Sequence, residues 1–282
     1  LATLETQILT AAPGDLQSVR FPFLRRLVHL DPVTTDSELA ARDIACSEHW
    51  DAFLERGASV SSARIEARAA RRHPGDAGAV FFSSGTTSLP QGILHSQRAF
   101  ALQWWRYPQL AGVDEAVRCW TANGLFWSGN IAMCVGLAFT NGGTLVLQPY
   151  FEPDTTLALI EREGVSFLHG REHQWARLQE SAGWAHADLS SLRYVTRGEM
   201  IMEHPTVDID WQLPMSFGTT ETMTINTSFD ADTPAQQYAG SCGVPLPGNL
   251  LKIVDPQSHA PVPVGERGEI CIKGPTLMMG YI

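Results

Sequence analysis

The segment Phe81-Phe82-Ser83-Ser84-Gly85-Thr86-Thr87-Ser88-Leu89-Pro90-Gln91-Gly92 is the part of the chain best equipped for chemistry. An apolar run from Ala79 to Phe82 stops in six small, mostly hydroxyl-bearing residues, and proline and glycine then close the turn. A buried strand feeding such a loop exposes backbone N–H groups and hydroxyls at a sheet edge, which suits it to phosphate oxygens. Neither the lysine nor the spacing of the Walker phosphate loop is present. Taken alone, a ligand-free Ser/Thr/Gly turn also accounts for these residues.

Ser216-Phe217-Gly218-Thr219-Thr220-Glu221-Thr222 offers a second constellation. It sets a glycine, a hydroxyl and a carboxylate side by side. The plainer reading is a surface turn with an exposed glutamate. His169-Gly170-Arg171-Glu172-His173 fits H-x-x-E-H, an inverted zinc-peptidase pattern. That pattern needs both histidines on one helix, yet Gly170 weakens a helix and residues 165–169 read as strand. Zinc hydrolysis is therefore not expected. There is no Gly-x-Ser-x-Gly elbow and no Gly-x-Gly-x-x-Gly fingerprint.

Elements able to position these residues alternate along the chain. Leu24 to Leu30 reads as a strand, and Ser47 is expected to cap a short helix through Phe53. Ser96 is expected to cap a helix carrying Phe100, Trp104 and Trp105. Val117 to Thr121 reads as a strand, Ile131 to Phe139 as a buried helix, and Thr144 to Gln148 as a strand again. Asp154 is expected to cap a helix ended by Gly164, with strand Val165 to Leu168, a helix around Trp175 and Leu178, and strand Leu192 to Thr196 following. This beat implies an α/β fold, a parallel sheet layered with helices, with the hydroxyl loop at the carboxyl ends of its strands. After Ser228 short strand-like runs alternate with Pro/Gly turns and no helix pattern is visible. The expected division is an α/β nucleotide- and acyl-binding subdomain over 1–237 and the start of a small β-barrel-like subdomain over 238–282.

With 282 residues, 44% hydrophobic and 18% charged, the chain is globular and can bury a sizeable core. A formal charge of −10 argues against nucleic-acid or anionic-membrane partners, though not against a nucleotide bound by a local loop. Cys46, Cys119, Cys134, Cys242 and Cys271 are scattered without a C-x-x-C pair, which fits a reducing, cytoplasmic location. No signal peptide or transmembrane span is read from the sequence.

In order and content the hydroxyl loop resembles the phosphate-loop signature of the adenylate-forming superfamily, which comprises acyl-CoA synthetases, luciferases and peptide-synthetase adenylation domains. Their usual form is Tyr/Phe-Thr-Ser-Gly-Thr-Thr-Gly-x-Pro-Lys-Gly, and Gln91 stands in the place of the lysine. The Phe217–Glu221 stretch resembles the family's Tyr-Gly-x-Thr-Glu motif. Thr196-Arg197-Gly198-Glu199-Met200 resembles its adenine-contacting turn, although only one glycine survives. Gly243-Val244-Pro245-Leu246-Pro247-Gly248 and the Gly265-Glu266-Arg267-Gly268-Glu269 to Gly280-Tyr281 stretch resemble its later structural motifs. Phe126-Trp127-Ser128-Gly129 sits where the family has an aromatic motif, commonly Phe-His-x-x-Gly, beside the acyl pocket.

The resemblance implies activation of an apolar carboxylic acid with ATP and Mg²⁺ to an acyl-adenylate, followed by transfer to coenzyme A. Ser83, Ser84, Gly85, Thr86, Thr87 and Gln91 would surround phosphates, Thr220 would contact the α-phosphate, and Glu221 would hold Mg²⁺. Arg197, Gly198, Glu199, Phe217, Gly218 and Thr219 would frame the nucleotide, and Phe126, Trp127 and Ile131 the acid. The Trp120–Asn130 stretch is most similar to synthetases for medium-chain or alicyclic acids. Two alternatives stay open: a non-catalytic nucleotide- or acyl-binding remnant, and an acyl-AMP ligase serving a carrier protein. A homodimer also stays open. The family's ribose-binding aspartate and C-terminal lysine domain lie beyond the sequence, so the chain is expected to be a fragment with little activity alone.

Overall fold

A computed structural model describes residues 4–30, 44–83 and 89–282. The chain divides into two units, Leu1–Arg72 and His73–Ile282.

In the first unit Leu27–His29 (β1) pairs in parallel with Ser47–His49 (β2), above a small core of Ile8, Leu16 and Cys46. Ser47 is thus in a strand and does not cap a helix. Its backbone is paired with Leu27, and its hydroxyl lies 2.9 Å from His29 Nδ1. The cap of Trp50–Gly57 (α1) is His49, whose Nδ1 accepts from the Asp51 N–H. The strand expected over Leu24–Leu30 is shorter, because β2 offers partners only to Leu27–His29. Ser62–Ala69 (α2) follows, capped by Ser61.

The second unit opens with Ala77–Phe82 (β3) and Gly92–Ser96 (β4), an antiparallel hairpin. This corrects the expectation that the hydroxyl loop leaves a strand of the parallel sheet. Residues 83–91 instead join two antiparallel neighbours, and the Ser83 N–H donates to the Gln91 carbonyl at 3.0 Å. Ser84, Gly85, Thr86, Thr87 and Ser88 lie outside the described residues. Gln97–Leu110 (α3) starts at Ser96, whose Oγ accepts from the Ala99 N–H as expected of an N-cap.

Arg118–Thr121 (β5) leads into a helical stretch made of Ser128–Asn130 (α4), a π-helical segment Ile131–Val135, and Gly136–Thr140 (α5). Thr144–Val146 (β6), Pro153–Glu163 (α6), Phe167–His169 (β7), Glu172–Gln179 (α7), Tyr194–Val195 (β8) and Glu199–Met202 (α8) continue the alternation. The cap of α6 is Glu152, whose carboxylate accepts from Asp154 and Thr155 N–H groups, and not Asp154. Pro153 fits the first helical position and so draws the helix start forward of Asp154. Gly164 ends α6 in the left-handed conformation, φ 57°.

The strands order β6-β5-β7-β8, all parallel. Successive residues of a strand face opposite sides, and here both sides are covered. Trp120 of β5 and Leu168 of β7 pack with Leu157, Ile160, Trp175 and Leu178 from α6 and α7. Their neighbours Cys119 and Phe167 pack with Tyr107, Leu110, Leu137 and Ala138 from α3 and α5.

Phe217–Thr219 (β9) and Thr224–Ser228 (β10) form a second hairpin. Ala235–Tyr238 (α9) is a single turn after Pro234, too short to leave a period in the sequence, so the expectation of no helix here is corrected. Val244–Pro245 (β11) pairs with β10, Leu250–Val254 (β12) pairs with Glu269–Lys273 (β13), and Gly280–Tyr281 (β14) pairs with β4. The sheet that suspends the hydroxyl loop therefore has the order β14-β4-β3. Among the described residues no helix is long and apolar enough to cross a membrane.

Candidate active site

The carboxyl ends of β5, β7 and β8 open onto a cleft of about 750 Å³, the position expected for a ligand on a parallel sheet. Trp127 and Ser128 reach it from the segment after β5, His169 to Glu172 from the turn after β7, and Thr196 to Glu199 from the turn after β8. The rest of its lining is Trp211 to Ser216, Gly218, Thr219, Thr220, Thr224 and Ile225 from the β9–β10 hairpin and the chain before it, with Tyr107, Met133, Val195 and Met202.

The turn after β7 is tied to both neighbours. Gly170 N–H donates to Thr196 Oγ1 at 3.3 Å, and Gln174 Nε2 donates to the Ala122 carbonyl at 3.3 Å. His169 is 6% exposed, with Nδ1 3.1 Å from Thr196 Oγ1. Burial, with the positive charges of Arg171 and Arg197 behind it, pushes the His169 pKa down to about 4. The imidazole is therefore neutral at physiological pH. Its ring stacks against the Trp127 indole at 6.0 Å, and the Arg171 guanidinium lies 5.1 Å from the same indole. Arg197 adopts φ 51°, a strained conformation for a side-chain-bearing residue, and Nη1 pairs with Glu172 Oε1 at 3.1 Å.

Four of the five H-x-x-E-H residues, His169 to Glu172, are thus a wall of the cleft, and His173 is outside its lining. His169 ends a strand while His173 is on α7, and among the described residues no group of His, Cys, Asp and Glu could hold a metal ion through three or more ligands.

The β9–β10 hairpin turns through the 3-10 turn Thr220–Thr222. Gly218 is required there by packing: a Cβ at that position would fall 1.5 Å from the Thr224 carbonyl oxygen. Two long-range bonds hold the turn's backbone. Buried His95 of β4 has Nε2 2.6 Å from the Thr220 carbonyl, to which the N–H tautomer donates, and the Met278 N–H donates to the Glu221 carbonyl at 2.7 Å. Tyr281 OH donates to Glu221 Oε1 at 3.1 Å. Burial pushes the Glu221 carboxyl up, but hydrogen bonds from its own backbone, Thr219 and Tyr281, and the nearby His95, bring it below the usual carboxylate range. Since β14 and β3 flank β4, the Thr220–Glu221 turn is fixed to the sheet from which the hydroxyl loop hangs.

Of the residues expected from sequence, Trp127, Arg197, Gly198, Glu199, Gly218, Thr219 and Thr220 line one cleft. Phe217 and Glu221 belong to the same hairpin and turn without lining it. Phe126 is not part of the lining and is 85% exposed. Ile131 is also outside it, with its carbonyl accepting from Trp104 Nε1 at 2.9 Å. Ser83 and Gln91 close the neck of the hydroxyl loop. Sequence reasoning passed over Tyr107, Met133, Trp211 and Met215, and took His169 to Glu172 only as a metal decoy. The run Trp211-Gln212-Leu213-Pro214-Met215, apolar and directly before a motif, was the available signal.

The chain matches the family of AMP-binding enzymes over residues 19–282. It belongs to that family. Indoleacetate–CoA ligase of Aromatoleum aromaticum is 30% identical over 98% of this chain and 54% of its own length. The amide bond synthetase McbA of Marinactinospora thermotolerans superposes with a TM-score of 0.59 at 28% identity, over 75% of this chain and 43% of that one. The anthranilate CoA ligase AuaEII, solved with anthranoyl-AMP, gives 0.61 at 25% identity, over 74% and 41%. The chain thus spans about half the length of the relatives it matches.

Proposed function

We propose that this chain forms the acid-activating cleft of an AMP-forming acyl-CoA ligase. A carboxylate oxygen of the acid attacks the α-phosphate of ATP, pyrophosphate leaves, and the thiol of coenzyme A then displaces AMP from the acyl-adenylate. The observation that carries this reading is the fixing of Thr220 and Glu221, through His95, Met278 and Tyr281, to the hairpin that holds the hydroxyl loop. The strand that follows the hydroxyl loop and the Thr220 turn are thereby joined by one bond between residues 125 apart, His95 to Thr220.

In this reading Ser83 to Thr87 cradle the β- and γ-phosphates, with Gln91 at the neck, and the Thr220 hydroxyl meets the α-phosphate. Arg197, Gly198 and Glu199, with Phe217 to Thr219, border the adenine and ribose. Trp127, Met133, Trp211, Leu213 and Met215 give the acid an aromatic and aliphatic wall. A ring-bearing acid suits that wall, and the relatives named for indoleacetate and anthranilate support it. Phe126 and Ile131 are left out of this assignment.

Glu221 is ionised and is one carboxylate, not a cluster. That donor set fits Mg²⁺, which commonly takes one or two carboxylates, waters and substrate phosphate oxygens. When bound, the ion would neutralise phosphate charge as pyrophosphate departs. The protein's own part is orientation: the carbonyls of Thr220 and Glu221 are held, so both side chains are positioned before substrate arrives.

Acid-dependent exchange of labelled pyrophosphate into ATP tests the reading, with indoleacetate, anthranilate and cyclohexanecarboxylate as acids. Exchange lost in Thr220→Val and Glu221→Gln is expected. Exchange that persists at the native rate in both variants would remove these residues from the site.

A further inference from the structure

Arg171 is the cleft-lining cation whose guanidinium has no acceptor among the described residues. The carboxylate next to it in sequence, Glu172, is committed to Arg197 at 3.1 Å. Arg171 lies instead over the Trp127 indole, 5.1 Å from the ring centroid, beside the neutral His169 ring. A guanidinium stacked on an aromatic face keeps hydrogen-bond donors for a further partner, and its planar fork suits oxygen acceptors. Partly desolvated and unpaired, it favours a ligand that supplies such an acceptor.

The sheet order says which ligand that is. In β6-β5-β7-β8, β5 lies on the far side of β7 from β8. Arg171 follows β7 and leans to Trp127, which follows β5, away from the Arg197–Glu199 turn after β8. On the reading given above, the β8 side takes the nucleotide and the Trp127 side takes the acid.

Resting on that reading, we infer that Arg171 is a specificity-determining residue and that the preferred acid carries a second oxygen acceptor, a keto or carboxylate oxygen remote from the carboxyl that is activated. The acid is then not purely apolar: an apolar body lies along Trp127 and Met133, and one oxygen is held by Arg171.

Direct binding to the chain tests this without requiring turnover. The probes are two 5′-O-(N-acylsulfamoyl)adenosines, one with a cyclohexanecarbonyl group and one with a 4-oxocyclohexanecarbonyl group, titrated calorimetrically. The oxo analogue should bind about tenfold more tightly to the native chain, the order expected of one charge-assisted hydrogen bond. Arg171→Leu and Arg171→Gln should both erase that preference while moving the plain analogue by less than about threefold. Equal binding of the two analogues to the native chain overturns the inference, as does a preference that survives both substitutions. An equal loss of both analogues with unchanged thermal unfolding makes Arg171 a general binding residue and also overturns it. Failure of both analogues to bind the native chain overturns the reading of the cleft itself, a separate outcome.

Discussion

The Tyr281 hydroxyl and the Glu221 carboxylate, 60 positions apart, are joined by a 3.1 Å hydrogen bond in which the phenol donates to Oε1. The bond helps keep the carboxyl below its usual range against the opposing effect of burial. Tyr281→Phe should therefore weaken Mg-ATP binding by roughly threefold to tenfold, the value of one ordinary hydrogen bond, since the bond is exposed and the carboxylate can take water in place of the phenol. Glu221→Gln should weaken it further. Calorimetric titration with and without Mg²⁺ checks both, and a Tyr281→Phe chain that binds like the native one would detach Tyr281 from the site.

Gly218→Ala should be more damaging than its size suggests. The added Cβ would meet the Thr224 carbonyl oxygen at 1.5 Å, so the β9–β10 hairpin must open. A loss of about 3 kcal/mol or more is expected. Gly164→Ala, at φ 57° but with open space around it, should cost only about 1 kcal/mol. Urea denaturation of the two variants side by side gives the comparison.

His169 predicts an acid-sensitive fold. Its pKa lies near 4 in the folded chain against an ordinary 6.5, so between these values the unfolded chain binds a proton that the folded chain does not. The contribution of neutral His169 is complete above pH 6.5 and is lost as pH falls towards 4. His169→Phe keeps an aromatic ring against Trp127 and removes the titration. The stability difference between pH 7 and pH 4.5 should then shrink by about 2–3 kcal/mol relative to the native chain. An unaltered pH dependence would show that His169 is not held neutral by its surroundings.

Gln91→Lys should tighten ATP binding. Gln91 closes the neck of the hydroxyl loop through its backbone, and a lysine would add a cation where this chain of formal charge −10 has an amide. A gain of roughly threefold to tenfold that fades as salt is raised is expected. A gain independent of salt would argue for a conformational effect.

The Ser96 cap, the left-handed stop at Gly164 and the parallel sheet were legible because each rests on local chemistry or on a short period. Ser96 has a free hydroxyl ahead of an apolar-faced helix, and it caps α3. Ser47 looks the same locally, yet pairing with Leu27 overrides it, and such pairing is long-range information. The antiparallel setting of the hydroxyl loop escaped for the same reason: Ala79 to Phe82 reads alike in either sheet type, and the partner strand decides. In the cleft, glycine and hydroxyl motifs were readable as words. The contribution of His169 and Arg171 is spatial, since both depend on where Trp127 places its ring.

The sheet order β14-β4-β3 also bears on when the cleft comes into being. Met278 and Tyr281 supply two of the bonds on Glu221, and both are separated from it by the whole β11–β13 region. During synthesis the Thr220–Glu221 turn can meet His95 early, but its second carbonyl and its carboxylate wait until residue 281 has left the ribosome. Until then the nascent chain holds the β3–β4 hairpin and the Thr220–Glu221 turn without the two bonds that Met278 and Tyr281 bring to Glu221. A truncation before Met278 is thus expected to fold its parallel sheet and lack the charge arrangement beside it.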